Sequence, residues 1–89
     1  MQVRIPATLR KFTGGADTVD GQGLTIGEVL NGLCERYQDF RPRLFKPDGS
    51  LNRFVNVFLN NEDIRFIGEL KAPVKESDEV SIIQAVAGG

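Results

Sequence analysis

Residues 79–89 read EVSIIQAVAGG, and this stretch determines how the rest of the chain is interpreted. Apolar and polar side chains alternate over residues 79–85, which predicts a strand that packs one face on a core. The two faces would carry Val80, Ile82 and Gln84, and Ser81, Ile83 and Ala85, respectively. The chain then ends in Val86-Ala87-Gly88-Gly89. We therefore expect a folded domain over residues 1–85 and a flexible tail over residues 86–89 that presents the carboxylate of Gly89.

The N-terminal residues predict a hairpin. Residues 2–5 alternate as a strand, and Pro6 ends it because proline cannot donate a hydrogen bond to a sheet. Thr13-Gly14-Gly15 is a turn signal that reverses the chain. A short second strand over residues 16–20 would then pair with the first.

The main helix should begin at Thr25. Thr25 and Glu28 have the spacing of a capping box, and Leu24 and Val29 have the spacing of a hydrophobic staple. Helical spacing then produces an apolar stripe, whereas the intervening polar residues can face water. The stripe consists of Ile26, Val29, Leu30, Leu33 and Tyr37. Glycines at 27 and 32 weaken a helix, so we expect this helix to pack closely on a sheet.

A third strand is predicted over residues 54–59, with a tight turn at residues 60–63 and a short strand over residues 64–66. Its second face mixes the polar Asn56 with the aromatic side chains of Phe54 and Phe58. Two interpretations of Phe58 stay open. It could be an overflow of the core near the sheet edge, or part of a patch that binds a partner.

The order of elements is strand, strand, helix, strand, short strand, strand. This order predicts an α+β fold in which one main helix packs across one face of a mixed sheet. The helix provides a right-handed crossover, so the first and last strands can pair in parallel at the centre of the sheet. That arrangement is the β-grasp, or ubiquitin-like, architecture. A central last strand would hold the base of the tail while residues 86–89 project.

The composition argues against several classes of function. Eighty-nine residues fit a single domain, and 11 basic residues nearly balance 12 acidic ones, so no overall field favours nucleic acid or an anionic membrane. No apolar run approaches the roughly 20 residues that span a bilayer, and residues 1–6 lack the plan of a signal peptide. We therefore expect a cytoplasmic protein.

The chain offers little chemistry of its own. It contains one cysteine, Cys34, and no histidine, so it can form neither an internal disulfide nor a structural zinc or iron–sulfur site by itself. It also lacks the commonest general base. Cys34 borders the apolar stripe, where a buried thiol is expected. The predicted protein is therefore not a self-contained enzyme, and it binds no metal or cofactor.

The tail, in contrast, can take part in chemistry. A carboxylate is a poor electrophile, and it becomes reactive when it is activated, for example as a mixed anhydride with AMP. Such activation requires ATP and a separate enzyme that encloses the carboxylate next to a phosphate. A pair of glycines allows close backbone approach because neither residue has a Cβ. Gly89 is therefore the candidate reactive residue, with Gly88, Ala87 and Val86 as the tail that delivers it.

The whole chain resembles the family of ubiquitin-like sulfur carriers that includes the small subunit of molybdopterin synthase and the thiamine-pathway carrier. It is most similar to the carrier type of thiocarboxylate-dependent cysteine biosynthesis. The resemblance rests on Ile5-Pro6-Ala7-Thr8-Leu9-Arg10, Thr13-Gly14-Gly15, Arg53-Phe54-Val55-Asn56, Asn60, Glu62-Asp63-Ile64-Arg65-Phe66 and Ala85-Val86-Ala87-Gly88-Gly89. It implies adenylation by an enzyme related to ubiquitin activators, followed by sulfur transfer to Gly89. The acceptor it implies is a synthase that uses pyridoxal phosphate.

Three alternatives stay open. The acceptor could be the large subunit of molybdopterin synthase, the chain could be a ubiquitin-like modifier joined to lysines, or the glycines could be incidental to a β-grasp interaction domain. For partner binding we predict an apolar contact at Phe58 and Ile83, and polar rim contacts at Arg53 or Arg65.

Overall fold

The computed structural model describes residues 1–84, which contain a five-stranded sheet of order β2-β1-β5-β3-β4. The strands are β1 (Gln2–Arg4), β2 (Thr18–Asp20), β3 (Val55–Leu59), β4 (Glu62–Asp63) and β5 (Glu79–Gln84). Two α-helices, α1 (Ile26–Arg36) and α2 (Arg41–Leu44), lie between β2 and β3. Short 3-10 helices occupy Ala7–Thr13, Gln38–Phe40, Ile64–Phe66 and Glu69–Lys71.

Strand β5 lies at the centre of the sheet. It pairs in parallel with β1, where Val3 faces Val80, and antiparallel with β3, where Val57 faces Ile82. Strand β2 completes the N-terminal hairpin on the far side of β1. The predicted mixed sheet with a parallel pairing of the first and last strands is therefore confirmed, and so is the β-grasp architecture.

Helix α1 packs its apolar stripe against one face of the sheet. Its residues and those of the strands form one buried cluster, in which Ile26, Leu30 and Val80 are fully buried. The other buried residues of α1 are Val29, Leu33 and Cys34. Phe40 and Leu44 close the edge of this core, since both are 0% exposed. One face of β5 is therefore committed to the core, and its other face is open.

The start of α1 differs in part from the prediction. The Glu28 N–H donates to Thr25 Oγ1 at 3.2 Å, as a capping box requires, but Glu28 Oε1 accepts from the N–H of Leu24 at 3.2 Å instead of from the cap residue. The predicted hydrophobic staple is wrong, because Leu24 is 74% exposed. Thr25 forms a bridge with Pro73, and the Val74 N–H donates to the Leu24 carbonyl at 3.0 Å. These backbone contacts fix Leu24 with its side chain in solvent.

Helix α1 packs on the sheet as predicted, through its apolar stripe, but its two glycines do not provide that contact. A Cβ on Gly27 would lie 3.1 Å from the carbonyl oxygen of Leu70, which belongs to the 3-10 helix Glu69–Lys71. A Cβ on Gly32 would meet only the carbonyl oxygen of Gln22, at 3.9 Å. Gly27 therefore permits a close approach of a connecting segment, and Gly32 sits beside a loop.

The region after β3 contains a second correction. Asn60 and Asn61 adopt φ of 51° and 72°, which confirms the tight turn. The predicted strand over residues 64–66 is instead a 3-10 helix, and β4 is the two residues before it. The Asp63 carboxylate accepts from the Arg65 N–H at 2.9 Å, and this cap turns the backbone out of the extended conformation.

Three strands, β1, β2 and β3, are also shorter than predicted. Strand β1 ends at Arg4, and β2 begins at Thr18. Phe54 lies in a turn before β3, because Asn52 accepts hydrogen bonds from the N–H groups of Phe54 and Val55, at 3.1 and 3.0 Å. The last described residue of β5 is Gln84. The predicted strand position of Ala85 and the predicted tail of residues 86–89 lie outside the described residues.

The single thiol is buried, as predicted. Cys34 is 3% exposed, and burial raises the pKa of its thiol above the usual 9.0. We expect Cys34 to react with a thiol-specific reagent such as iodoacetamide much more slowly in the native protein than in denaturant, because the thiolate is the nucleophile. Alkylation rates followed by mass spectrometry at neutral pH, with and without urea, would check this. Equal rates in the two conditions would show that the thiol is accessible.

Candidate functional site

The site is built around the point where β5 ends. Gln84 lies opposite Val55, the first residue of β3, so β5 ends at the edge of the sheet where β3 begins. The Thr8 hydroxyl, in the first 3-10 helix, donates to Gln84 Oε1 at 2.6 Å. We call this edge the exit end of the sheet, defined by Thr8, Val55 and Gln84. The last described residue of β5 is thus held by β3 and by the first 3-10 helix.

Phe58 and Ile83 lie on the face of the sheet opposite α1, which we call the open face. Phe58 is opposite Ser81 and Ile83 is opposite Asn56, so the two apolar side chains are diagonal neighbours on adjacent strands. Ile83 is 48% exposed and Phe58 is half-buried. Phe58 belongs neither to the buried core nor to the half-buried apolar residues packed against it, which argues against core overflow. Its role in partner binding stays a prediction.

The two predicted rim arginines differ in their surroundings. Both line a groove of about 290 Å³ beside Asn56, on the β4 side of β3. Arg65 pairs with Asp63, with Nη2 2.6 Å from Oδ2, and this guanidinium holds the pKa of Asp63 below its usual 3.8. Arg53 is exposed in the turn before β3 and has no carboxylate within 4 Å among residues 1–84. Arg53 is therefore the better placed of the two to meet a carboxylate of a partner.

Sequence reasoning missed the contacts that hold the exit end. Thr8 and Gln84 are 76 residues apart, and no sequence spacing connects the two. Arg10 donates from Nε to the carbonyl oxygen of Ile5 at 3.1 Å, which fixes its guanidinium next to the end of β1. These contacts depend on the parallel pairing of β1 and β5, so no local signal in the sequence announces them.

The opposite end of β5 is held by a separate polar cluster. Asp78 accepts from Asn60 Nδ2 at 2.9 Å and from the Lys75 N–H at 2.8 Å, and Asn60 in turn accepts from the Glu79 N–H at 2.9 Å. These hydrogen bonds favour the ionised carboxylate and hold the pKa of Asp78 below its usual 3.8. The cluster ties the β3–β4 turn to the first residue of β5.

We expect Asp78→Asn to lower stability at neutral pH, with the loss disappearing in acid. A carboxyl group whose pKa is lower in the folded state stabilises the fold above its unfolded pKa, and that contribution is lost as the pH falls through the folded pKa. Urea unfolding at pH 6 and at pH 2–3 would measure the difference in the free energy of unfolding between wild type and variant. Glu76→Gln, on the same turn but without a hydrogen bond to it among residues 1–84, is the matched control. A difference that persists unchanged in acid would contradict the prediction.

The described part of the chain contains no group of three or more histidine, cysteine, aspartate or glutamate residues placed to hold a metal ion. Among residues 1–84, no helix is long and apolar enough to cross a bilayer. The predicted reactive residue, Gly89, and the tail residues Gly88, Ala87 and Val86 lie outside the described part.

Comparison with known proteins identifies the family. Residues 3–89 match the model of the ThiS family. The chain belongs to the ThiS family of ubiquitin-like sulfur carriers. It is 44% identical to the sulfur carrier protein CysO of Mycobacterium tuberculosis over 89 residues, which cover 98% of this chain and 96% of the relative. It is 32% identical to a putative sulfur carrier protein of Archaeoglobus fulgidus, over 100% of this chain and 98% of the relative. The predicted family is therefore confirmed.

Solved structures of ThiS-family relatives share the fold. A chain of the Amycolatopsis orientalis BexX/CysO complex superposes with a TM-score of 0.89 at 43% identity, covering 99% of this chain and 98% of that one. The structure of Mycobacterium tuberculosis CysO superposes with a TM-score of 0.88 at 41% identity, covering 96% of this chain and 98% of that one. Sulfur carriers of this type are small carrier proteins and not enzymes, in agreement with the prediction from composition.

Proposed function

We propose that this chain carries sulfur on the carboxylate of Gly89 and delivers it to a cysteine-forming enzyme. The observation that supports this most directly is the position of β5, which is held on both sides at the centre of the sheet and ends at the exit end. Gly89 is the fifth residue after Gln84. A partner enzyme can therefore bind the folded domain while Gly89 reaches into the active site of that enzyme. The similarity to CysO, a sulfur carrier protein by name, supports the same role.

Two reactions would load the sulfur, and both belong to a partner. The Gly89 carboxylate attacks the α-phosphorus of ATP on an adenylating enzyme, which forms an acyl-adenylate and releases pyrophosphate. A sulfur nucleophile at the oxidation level of hydrosulfide, supplied by the same partner system, then attacks the carbonyl carbon and expels AMP. Gly89 finishes with one sulfur in place of one oxygen, as a thiocarboxylate. The chain itself contributes one carboxyl carbon and a docking surface, and it binds neither the ATP nor another cofactor.

The thiocarboxylate is a soft nucleophile that stays attached to a recognisable protein. In the proposed pathway it attacks an aminoacrylate that a synthase holds on pyridoxal phosphate. An acyl shift then joins cysteine to Gly89 by an amide bond, and a peptidase releases it. The sulfur thus moves without passing through free sulfide. The open face, with Phe58 and Ile83, is the surface we propose for docking on these enzymes, and Arg53 would contribute a polar contact at its edge.

The loading step is tested by mass spectrometry of the purified chain after incubation with the adenylating enzyme of the same organism, ATP and a sulfur donor. We expect one oxygen to be replaced by sulfur, and the product to be alkylated once by iodoacetamide at Gly89. Oxidation of Met1 or Cys34 adds a nearly equal mass, so the alkylated C-terminal peptide must be identified. The Cys34→Ala variant removes the only thiol as a control. Alkylation absent from this peptide under conditions where pyrophosphate is released would refute the thiocarboxylate.

The acceptor is chosen by a second experiment. The thiocarboxylated chain would be mixed with a cysteine synthase and an aminoacrylate precursor, or with the large subunit of molybdopterin synthase and its precursor. Cysteine attached to Gly89 supports the cysteine pathway, and transfer only to the molybdopterin precursor supports the alternative.

A role as a protein modifier is a second candidate, because the chain is also 30% identical to small archaeal modifier protein 3 of Haloferax volcanii. Isopeptide adducts of Gly89 on lysines in cell extracts would support that role. Detection of only unconjugated or thiocarboxylated protein would exclude it.

A further inference from the structure

The exit end of the sheet carries an excess of positive charge. Arg53 lies in the turn that leads into β3, opposite the end of β5. Arg10 and Lys11 belong to the 3-10 helix that supplies Thr8, and Arg43 reaches the same helix, with its guanidinium 4.5 Å from the ring centroid of Phe12. We call Arg10, Lys11, Arg43 and Arg53 the exit-end cations.

The exit-end cations are not neutralised within the described part of the chain. None of them has a carboxylate within 4 Å among residues 1–84. Arg10 donates to a backbone carbonyl, and Arg43 donates to the carbonyl of Asp39 at 3.1 Å. The carboxylate of the connection between β1 and β2 is Asp17, which accepts from the Thr18 hydroxyl at 3.0 Å. Asp63 and Glu69 line the same groove as Arg53, and Asp39 lies four residues before Arg43, but none of these carboxylates comes within 4 Å of an exit-end cation.

The opposite end of the sheet carries the reverse charge. This acidic end is where β5 begins and where β2 and β3 finish. Its carboxylates are Asp20, Glu62, Glu76, Asp78 and Glu79. Two cations pair with them, since the N-terminal ammonium group lies 3.3 Å from Asp20 and Arg4 lies 3.3 Å from Glu79. Lys75, in the turn before β5, has no carboxylate within 4 Å among residues 1–84. Opposite charges are thus separated along the axis of β5, although the net charge of the whole chain is only −1.

We infer that the exit-end cations dock on a protein surface rimmed by carboxylates, around the entrance through which the tail reaches the active site of its adenylating enzyme. This inference rests on the proposed function and adds the kind of surface that receives the chain. With a net charge near zero, attraction cannot come from total charge, but a charge separation along β5 orients the approaching molecule. The orientation it favours puts Gln84, and therefore the base of the tail, towards the entrance.

An acidic protein surface fits the charge distribution better than a nucleic acid does. A phosphate backbone attracts cations over many ångströms of its length, and the carboxylates of the acidic end would oppose close binding in most orientations. Ile83 is exposed on the open face and lines one groove together with Arg4 and Arg10. A protein surface can bury this apolar side chain, whereas a phosphate backbone cannot.

The test compares two double charge reversals that change net charge equally. Lys11→Glu with Arg53→Glu reverses the exit end, and Lys71→Glu with Lys75→Glu reverses exposed lysines away from it. Adenylation by the enzyme of the same organism would be followed by pyrophosphate release at low and at high salt. We expect kcat/KM of the exit-end variant to fall about 10- to 100-fold below that of wild type at low salt. At high salt the difference in kcat/KM between the two proteins should become smaller. The control variant should stay within about twofold of wild type.

Each other result overturns the inference in a distinct way. Equal losses in the two variants would show that only net charge matters, and no loss in the exit-end variant would show that the cations do not dock. Retention of RNA by the wild type but not by the exit-end variant would assign these cations to a nucleic acid. Thermal unfolding of all three proteins checks that they fold. A wild-type chain that is not adenylated at all would refute the proposed function, because that outcome does not depend on the cations.

Discussion

A chain that lacks Gly88 and Gly89 should unfold at the same temperature as the full chain and accept no sulfur. The core residues and strand pairings that the structure describes all belong to residues 1–84, so truncation after residue 87 removes none of these. The reacting carboxylate would move to Ala87, two residues short of its position and next to a Cβ that crowds attack on the carbonyl carbon. Thermal unfolding and mass spectrometry after incubation with the adenylating enzyme would measure the two outcomes.

The matched control keeps both glycines and adds one alanine after Gly89. The former carboxyl group of Gly89 is then an amide, so loading should be lost as completely as in the truncated chain. Together the two variants separate the length of the tail from the identity of its last carboxylate. Sulfur loading of the truncated chain at a rate near that of wild type would show that the glycines are incidental.

The second large effect concerns two adjacent isoleucines of β5. Ile82 is 2% exposed within the core, whereas Ile83 is 48% exposed on the open face. We expect Ile82→Ala to lower the free energy of unfolding by about 2–5 kcal/mol, through lost burial and the cavity left behind. That is a large share of the roughly 5–15 kcal/mol that stabilises a typical domain. Ile83→Ala should change stability by no more than about 0.5 kcal/mol.

The same pair separates folding from docking. We expect Ile83→Ala to raise the KM for the adenylating enzyme roughly tenfold, because truncation of a central apolar contact at an interface often costs more than about 1 kcal/mol. Urea unfolding and initial rates of pyrophosphate release would be measured for both variants. Unchanged kinetics in Ile83→Ala would remove Ile83 from the proposed docking surface, and an unchanged stability in Ile82→Ala would contradict the assignment of its face.

The parts of the fold that were predictable are those set by local pattern. The alternation over residues 79–84 identified β5 and its two faces, and the spacing from Ile26 onward identified α1. Their order along the chain then left the central parallel pairing as the natural topology. These patterns persist because burial of one face outweighs most competing local preferences.

The parts that failed depend on contacts between distant segments. Leu24 fits a staple by spacing, but the bridge of Thr25 with Pro73 turns its side chain outward. Gly27 was expected to mark contact with the sheet; α1 does pack on the sheet, but the segment that approaches Gly27 is the connecting one at Leu70. Ile64–Phe66 has the composition of a strand, yet the neighbouring carboxylate of Asp63 caps a 3-10 helix there. Tertiary structure decided each of these positions.

The candidate site divides in the same way. The apolar pair Phe58 and Ile83 could be located from alternation, since period-two patterning fixes the face on which a residue lies. The hydrogen bond from Thr8 to Gln84 could not, and neither could the separation of charge along β5, because both need the positions of segments from the two ends of the chain. A nearly balanced count of acidic and basic residues therefore gives no information on how those charges are distributed over the structure.

The central position of β5 also has a consequence during synthesis. Residues 79–84 are made after every other strand, yet β1 and β3 meet only through them. A chain interrupted before residue 79 therefore lacks the neighbour that both strands need, and it leaves the face of α1 without the side chains of Val80 and Ile82. Such fragments cannot assemble the docking surface. Only a chain translated through its last strand can therefore form the surface that we propose for docking.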